Sequence, residues 1–310
     1  MRSVELRLWA EDEARATPGY SLVDTMKTYS FGWMYWGASC GLLEVCNCII
    51  EACETGKSRV LLRAFCPSEP PCDPLKDAID VLGLHEDLSE YWGLARGDPL
   101  VGGVADVMPG LRLRRASPWY AFLVAVCQQN ASFRQGWGML YKLHLLASVR
   151  ARLPDGRVYL MVPRPGDLDE SVLREARLGY RYRTVLEVAR NPPATCKDVD
   201  DLRGVRGVGP YTHALVRLIA CRDYSVLPLD RWLEALASKA YTVPKSGVRA
   251  ALQAKFGRWV GLAALHTTIG FDAQPLRKAL ERLEKGLNKP GLAEPSPVSL
   301  WKYTPPEASL

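Results

Sequence analysis

Two features of the 310-residue sequence could do chemistry together: the short glycine turn Gly207-Val208-Gly209 and the carboxylate of Asp230. Glycines on either side of a small apolar residue let the chain turn tightly, and their missing side chains let another backbone approach the amide groups. A helix beginning near Pro210 would present unpaired N–H donors and a positive dipole end, which together suit a phosphate. The plain alternative is a tight helix–helix turn that binds nothing. Asp230 follows a short extended run containing Pro228, and it too has two readings. It is a carboxylate for catalysis, or the N-cap of a helix over Arg231–Tyr241.

The elements that must position these residues are mainly helical. Ser117 reads as an N-cap with Pro118 at the first position, and Trp119, Phe122, Leu123 and Val126 share one face. That helix runs into Gln128-Gln129-Asn130, three amides that mark its exposed end. A further helix starts near Ser132. Leu173–Arg190 is helical but interrupted at Gly179, and its run Leu178-Gly179-Tyr180-Arg181-Tyr182-Arg183 mixes aromatics with guanidinium groups. A short polar helix precedes Gly207, and a second carries Tyr211–Cys221. Apolar helical stretches follow at Trp232–Tyr241, Val248–Phe256, Trp259–Thr268 and Leu276–Leu287.

The first part of the chain reads differently. Val4–Trp9, Leu42–Ile50 and Arg59–Phe65 are predicted strands, with a turn at Gly37 between the first two and a helix from Leu75 to Leu82 after the last. The expected class is α+β: a small antiparallel sheet domain over residues 1–100 and a mainly α-helical two-part body over 101–288. A proline-rich tail over 289–310 is expected to be extended, with Trp301 pinning it to the body.

The hydrophobic share of 48% allows a sizeable core, and the net charge of +6 suits an anionic partner without specifying one. No run approaches the length of a membrane span, and the N-terminus lacks a basic-then-apolar leader. This predicts a cytoplasmic protein, nucleoid-associated if prokaryotic. The nine cysteines lack the paired knuckles of a zinc site, and reduced, mostly buried thiols are expected. No cysteine follows Cys221, which excludes a C-terminal four-cysteine iron–sulfur loop.

Taken together, the hairpin and the aspartate resemble the helix-hairpin-helix and Gly/Pro…Asp signature of the endonuclease III superfamily of DNA N-glycosylases. Pro109-Gly110-Leu111-Arg112-Leu113, Gln128-Gln129-Asn130 and Leu178-Gly179-Tyr180-Arg181 extend the likeness towards the 3-methyladenine and 8-oxoguanine branches. The resemblance implies base excision repair on double-stranded DNA by base flipping, with Asp230 as the catalytic carboxylate and Gly207, Val208 and Gly209 as a phosphate grip. Bifunctional members place a lysine where this chain has Tyr211. A phenol forms no imine, so the resemblance implies a glycosylase without lyase activity, and Tyr211 becomes a wall of the base pocket, with core packing as its alternative.

By the same resemblance Asn130 and Tyr180 are plug and wedge for the emptied stack, with a helix-end cap as the alternative for Asn130. Arg181 contacts the orphaned partner base or, with Arg183, phosphates. His213 reads as a hydrogen-bonded structural residue, with a phosphate contact as its alternative. No cofactor or protein-bound metal is expected, although hairpin carbonyls can hold a monovalent cation in this family. A monomer is expected. The substrate expected first is an alkylated purine such as 3-methyladenine, which is already a cationic leaving group. The alternatives are 8-oxoguanine, a non-catalytic hairpin DNA-binding protein, and a generic helical enzyme whose glycine turn is accidental.

Overall fold

The computed structural model describes residues 2–37 and 39–303. Ala38, in the expected turn around Gly37, and residues 304–310 of the expected tail lie outside the described residues. The chain is a mixed α+β protein with a five-stranded antiparallel sheet, a three-stranded mixed sheet and a large helical part.

The stretch expected as one strand over Val4–Trp9 is two, β1 (Ser3–Glu5) and β2 (Arg7–Arg15), placed in different sheets. The break falls at Leu6, whose side chain is buried in the main core. Five strands form an antiparallel sheet in the order β2-β6-β5-β4-β3, with β3 at Tyr35–Trp36, β4 at Cys40–Val45, β5 at Cys48–Gly56 and β6 at Arg59–Cys66. The run expected as a single strand over Leu42–Ile50 folds back at Cys46 and Asn47, which have φ of 54° and 60°. Such two-residue turns normally advertise themselves with glycine, and this one carries none.

Alternation along β4 and β5 serves two layers. Leu42 and Ile49 face the main core, whereas Leu43 and Ile50 face a smaller core with α1 (Leu22–Lys27) and α2 (Pro74–Leu82). With side chains leaving a strand to opposite faces in turn, a sheet buried on both sides needs apolar residues at consecutive positions.

The expectation of reduced cysteines is corrected by the pairing. Cys40–Cys53, Cys46–Cys72, Cys48–Cys66 and Cys196–Cys221 are disulfides, and Cys127 alone is free and buried. Antiparallel register is the cause in the sheet: Cys40 stands opposite Cys53 across β4 and β5, with Cα atoms 4.1 Å apart. Spacing along the chain does not reveal which cysteines become cross-strand neighbours. Cys46, Cys72 and Asp77 also converge, with ligand atoms within 4.8 Å of one another, a grouping invisible in the sequence. Its two sulfurs are bonded to each other.

The helical part begins with α3 (Ser89–Ala95) and α4 (Gly102–Val107), then α5 (Pro118–Gln128) and α6 (Phe133–Ala147). Ser117 caps α5 by accepting from Tyr120 N–H, and Ser132 caps α6 in a reciprocal capping box with Gln135. A second sheet of order β1-β7-β8 follows, made with β7 (Arg150–Arg152) and β8 (Val158–Leu160). In it β1 runs parallel to β7, so the first strand of the chain lies against the helical part.

The broken helix near Gly179 resolves into α7 (Glu170–Glu175), a 3₁₀ turn at Gly179–Arg181 and α8 (Tyr182–Ala189). Then come α9 (Asp198–Asp201), α10 (Pro210–Cys221), α11 (Arg231–Tyr241), α12 (Val248–Phe256), α13 (Val260–Gly270) and α14 (Leu276–Glu284). Among the described residues no helix is long and apolar enough to cross a membrane.

The segment after α14 returns to the N-terminal sheet. Asp272 accepts from the N–H groups of Gly291, Leu292 and Ala293, and Pro297 and Tyr303 accept from Tyr29 and Gly32. The Trp301 ring lies 5.1 Å from that of Tyr35 and 4.7 Å from Lys27 Nζ.

Candidate active site

Asp230 is the N-cap of α11, and its Oδ1 accepts from Leu233 N–H at 2.7 Å. The residue is exposed, yet its carboxyl lies among enough protein atoms for desolvation to raise its pKa above the ordinary carboxylate value. Main-chain N–H groups of Leu233 and Trp232 pull the other way by favouring the anion. Close packing fixes the run that delivers it: a Cβ on Gly261 would come within 2.3 Å of the Val226 carbonyl, and Gly261 N–H donates to Tyr224 O at 2.7 Å. Trp232 Nε1 donates to Gln274 O and anchors the start of α11 from the far side.

Tyr211 stands in the first turn of α10 and lines a cavity of about 470 Å³ between the helical part and the sheet. Burial, and then the negative charge of Asp230, hold its phenol above the ordinary value, so the ring is neutral and electrostatically coupled to the carboxylate. Tyr29, Phe133 and Trp137 line the same cavity, and the Tyr29 and Trp137 rings stack at 5.5 Å. Tyr29 has φ of 54°, a left-handed conformation that costs an ordinary side chain energy. Three contacts hold it: its N–H donates to Pro297 O at 2.7 Å, and Arg114 donates to the carbonyls of Thr28 and Tyr29 at 3.1 and 3.3 Å. The tail therefore braces a wall of the cavity, a role its proline-rich composition does not suggest.

The turn between α9 and α10 is built by Gly207, which has φ of 93° and lies against Thr184 of α8. A Cβ there would come within 2.3 Å of Thr184 Oγ1. Val208 N–H closes the turn onto Val205 O, and Gly209 caps α10 without a side-chain acceptor, which leaves the first amides of that helix to other partners. The Cys196–Cys221 disulfide ties the chain before α9 to the end of α10. His213, buried behind the turn, accepts from Arg203 Nε at 3.2 Å, and burial lowers its pKa first, with Arg203 adding to the effect. The Asp200 carboxylate, 3.6 Å from the His213 Nε2, opposes that shift.

Asn130 and Tyr180, far apart in sequence, are neighbours on the surface. Asn130 Nδ2 lies 3.2 Å from the Tyr180 hydroxyl, and Tyr180 is 60% exposed. Arg181 is placed differently from the expectation of a base or phosphate contact. Only 8% exposed, its guanidinium donates to the carbonyls of Leu178, Gln129 and Asn130 and lies 4.7 Å from the centre of the Tyr180 ring. Gln129 Nε2 donates to Gly207 O at 3.1 Å and joins this cluster to the glycine turn. Sequence reasoning missed this bracing because carbonyl acceptors leave no residue-type signal.

No protein-family model matches the sequence, and no curated protein matches it. Solved structures do resemble it. The 8-oxoguanine glycosylase/lyase of Clostridium acetobutylicum, bound to double-stranded DNA with cytosine opposite 8-oxoguanine, is 17% identical with a TM-score of 0.66, over 92% of this chain and 100% of that one. The 3-methyladenine DNA glycosylase of Archaeoglobus fulgidus is 16% identical with a TM-score of 0.66, over 83% of this chain and 96% of that one. The chain therefore has the fold shared by these two types of DNA glycosylase.

Proposed function

We propose that the protein is a monofunctional DNA glycosylase of base excision repair, which hydrolyses the N-glycosidic bond of a flipped-out damaged purine in double-stranded DNA. The reading is supported by Asp230, which Leu233 N–H holds at the start of α11 and whose negative charge helps raise the pKa of the phenol of Tyr211, a residue lining an aromatic cavity that Asp230 itself does not line. Breaking the bond builds positive charge on the deoxyribose, and an anion at that point stabilises it or orients the attacking water. The turn at Gly207, Val208 and Gly209, as the hairpin of a helix-hairpin-helix, offers open amides to a DNA phosphate. Asn130 and Tyr180 enter the stack where the base has left, and Arg181 acts by holding them rather than by touching DNA.

Tyr211 stands where bifunctional members place a lysine, so water is the nucleophile and the product keeps an intact sugar–phosphate backbone. Alkylated purines such as 3-methyladenine are the substrates named first, because an alkylated purine leaves with less catalytic help. Oxidised guanine is the second reading, favoured by the adjacent placement of Asn130 and Tyr180. The same reading takes residues 1–100 as the sheet domain, 101–288 as the catalytic body and 289–310 as the tail.

The test is base release from duplexes that each carry one lesion, scored before and after hot alkali. Alkali-dependent breaks alone are expected. Strand cleavage without alkali, or a borohydride-trapped adduct, would overturn the monofunctional assignment. No release from alkylated, oxidised or deaminated purines would overturn the enzyme.

A further inference from the structure

The aromatic cavity contains polar groups that none of the roles above uses. Of the three consecutive amides at the end of α5, two are engaged: Gln129 with Gly207 O and Asn130 with the Tyr180 hydroxyl. Gln128 is not. Its side chain lines the cavity with Tyr29, Phe133, Trp137 and Tyr211, and its Nε2 is buried without a hydrogen-bond partner among the described residues. Thr28, only 6% exposed and next to Tyr29, also lines the cavity with an unpartnered Oγ1, while its carbonyl is occupied by Arg114. Each buried polar group without a protein partner calls for an explanation, and these two differ from the others in sharing one aromatic cavity with Tyr211.

The slot for Gln128 is built. Gly136 lies inside α6, where glycine weakens a helix, and a Cβ there would come within 2.5 Å of the Gln128 amide. Absence of that side chain lets the amide lie between α5 and α6. An amide carries a donor and an acceptor side by side, which matches the N6 and N7 edge of an adenine. Turned over, the same amide matches the carbonyl and N–H of an oxidised guanine, and the two orientations have the same shape.

We propose that Gln128, assisted by Thr28, reads the hydrogen-bonding edge of the extruded purine and sets its orientation between the aromatic walls. This rests on the glycosylase reading and adds to it two residues that contact the base rather than the sugar or the backbone. Losing the contact lowers affinity for a base in the pocket and leaves affinity for DNA without that base unchanged.

The test uses the full chain with Asp230→Asn, so that bound DNA is not turned over. Dissociation constants are measured for duplexes carrying 3-deaza-3-methyladenine, a stable analogue that keeps the N6 and N7 edge, or 8-oxoguanine, and for the same duplex with a tetrahydrofuran abasic site. Adding Gln128→Leu is expected to weaken binding to at least one lesion duplex by about tenfold and to change abasic binding by less than about twofold. Gln128→Glu keeps the shape but removes the donor, and it is expected to show the same selective loss if Gln128→Leu lowers the melting temperature. Thr28→Val is expected to give a smaller loss in the same direction. Equal weakening on lesion and abasic duplexes, or no change on either lesion, overturns the inference and leaves the glycosylase reading standing. Failure of the unsubstituted protein to release any damaged purine overturns that reading, and this inference with it.

Discussion

Replacing Asp230 separates its two jobs, because asparagine and alanine differ in which one they keep. Asp230 Oδ1 accepts from Leu233 N–H at the start of α11, and an asparagine side-chain oxygen can make the same bond. Asp230→Asn therefore keeps the cap and removes a charge that burial disfavours. Its melting temperature at neutral pH is expected to equal or exceed that of the unsubstituted protein. The sign follows from the pKa: because the folded value is raised, the contribution of Asp230 to stability is present below the ordinary value of 3.8 and is lost as pH rises through the raised one. Asp230→Ala loses the cap as well, a cost of about 1 kcal/mol, which for a chain of this size lowers the melting temperature by about 1.5 °C.

Turnover behaves differently. Removing the anion at the developing positive charge is expected to slow base release by about 10²–10³-fold in both variants, equivalent to about 3–4 kcal/mol of transition-state stabilisation. Single-turnover release from a lesion duplex, with thermal unfolding run on the same samples, measures both effects. If Asp230→Asn keeps more than about a tenth of the activity, the carboxylate is a cap and nothing more, and the catalytic assignment fails.

Glu44 lies on the cavity wall, where burial raises its carboxyl to about 7 against the opposing pull of Val162 N–H and Arg164. Its contribution to stability is present below the ordinary 4.5 and lost as pH rises through about 7, so Glu44→Gln should stabilise the protein by up to about 3 kcal/mol at pH ~8 and little at pH ~4, as urea titrations would show. Tyr211→Phe should release base at a rate within a few-fold of the original, whereas Tyr211→Ala should weaken binding to lesion duplexes; an equal loss in both would assign the effect to the hydroxyl. Cys196→Ser opens a loop closed across 25 residues and is expected to cost about 3 kcal/mol of stability, read from denaturant midpoints. Tyr180→Ala should reduce lesion binding with no change in melting temperature, since the ring is largely exposed.

Local signals carried well from sequence to structure where one residue type has one physical job. Ser117 with Pro118, Ser132 and Asp230 each start a helix as their capping chemistry requires. Gly207 turns the chain in a conformation glycine enters freely. The strands were harder to read. Cys46 and Asn47 turn with left-handed backbone but without glycine, and Leu6 breaks an apparently continuous run because a core far along the chain claims it. The cysteine pairs depend on register, and register is a property of two strands at once. At the site, the neighbourhood of Asn130 and Tyr180 follows from the resemblance alone, since no local pattern joins them. The Arg181 bonds to Gln129 and Asn130, the Tyr29 brace and the slot made by Gly136 all use backbone atoms or missing ones, which composition does not register.

The first strand of the chain lies in the helical part, and the segment after α14 lies on the five-stranded sheet. Each half thus includes a piece encoded far from it in the sequence. On a ribosome, the sheet can gather its own strands early, but Tyr29 meets the carbonyl of Pro297 only after every helix of the helical part has been made. A wall of the cavity is therefore among the last features to set. A nascent chain that already holds its turn and its carboxylate still lacks a finished cavity until Pro297 has been added.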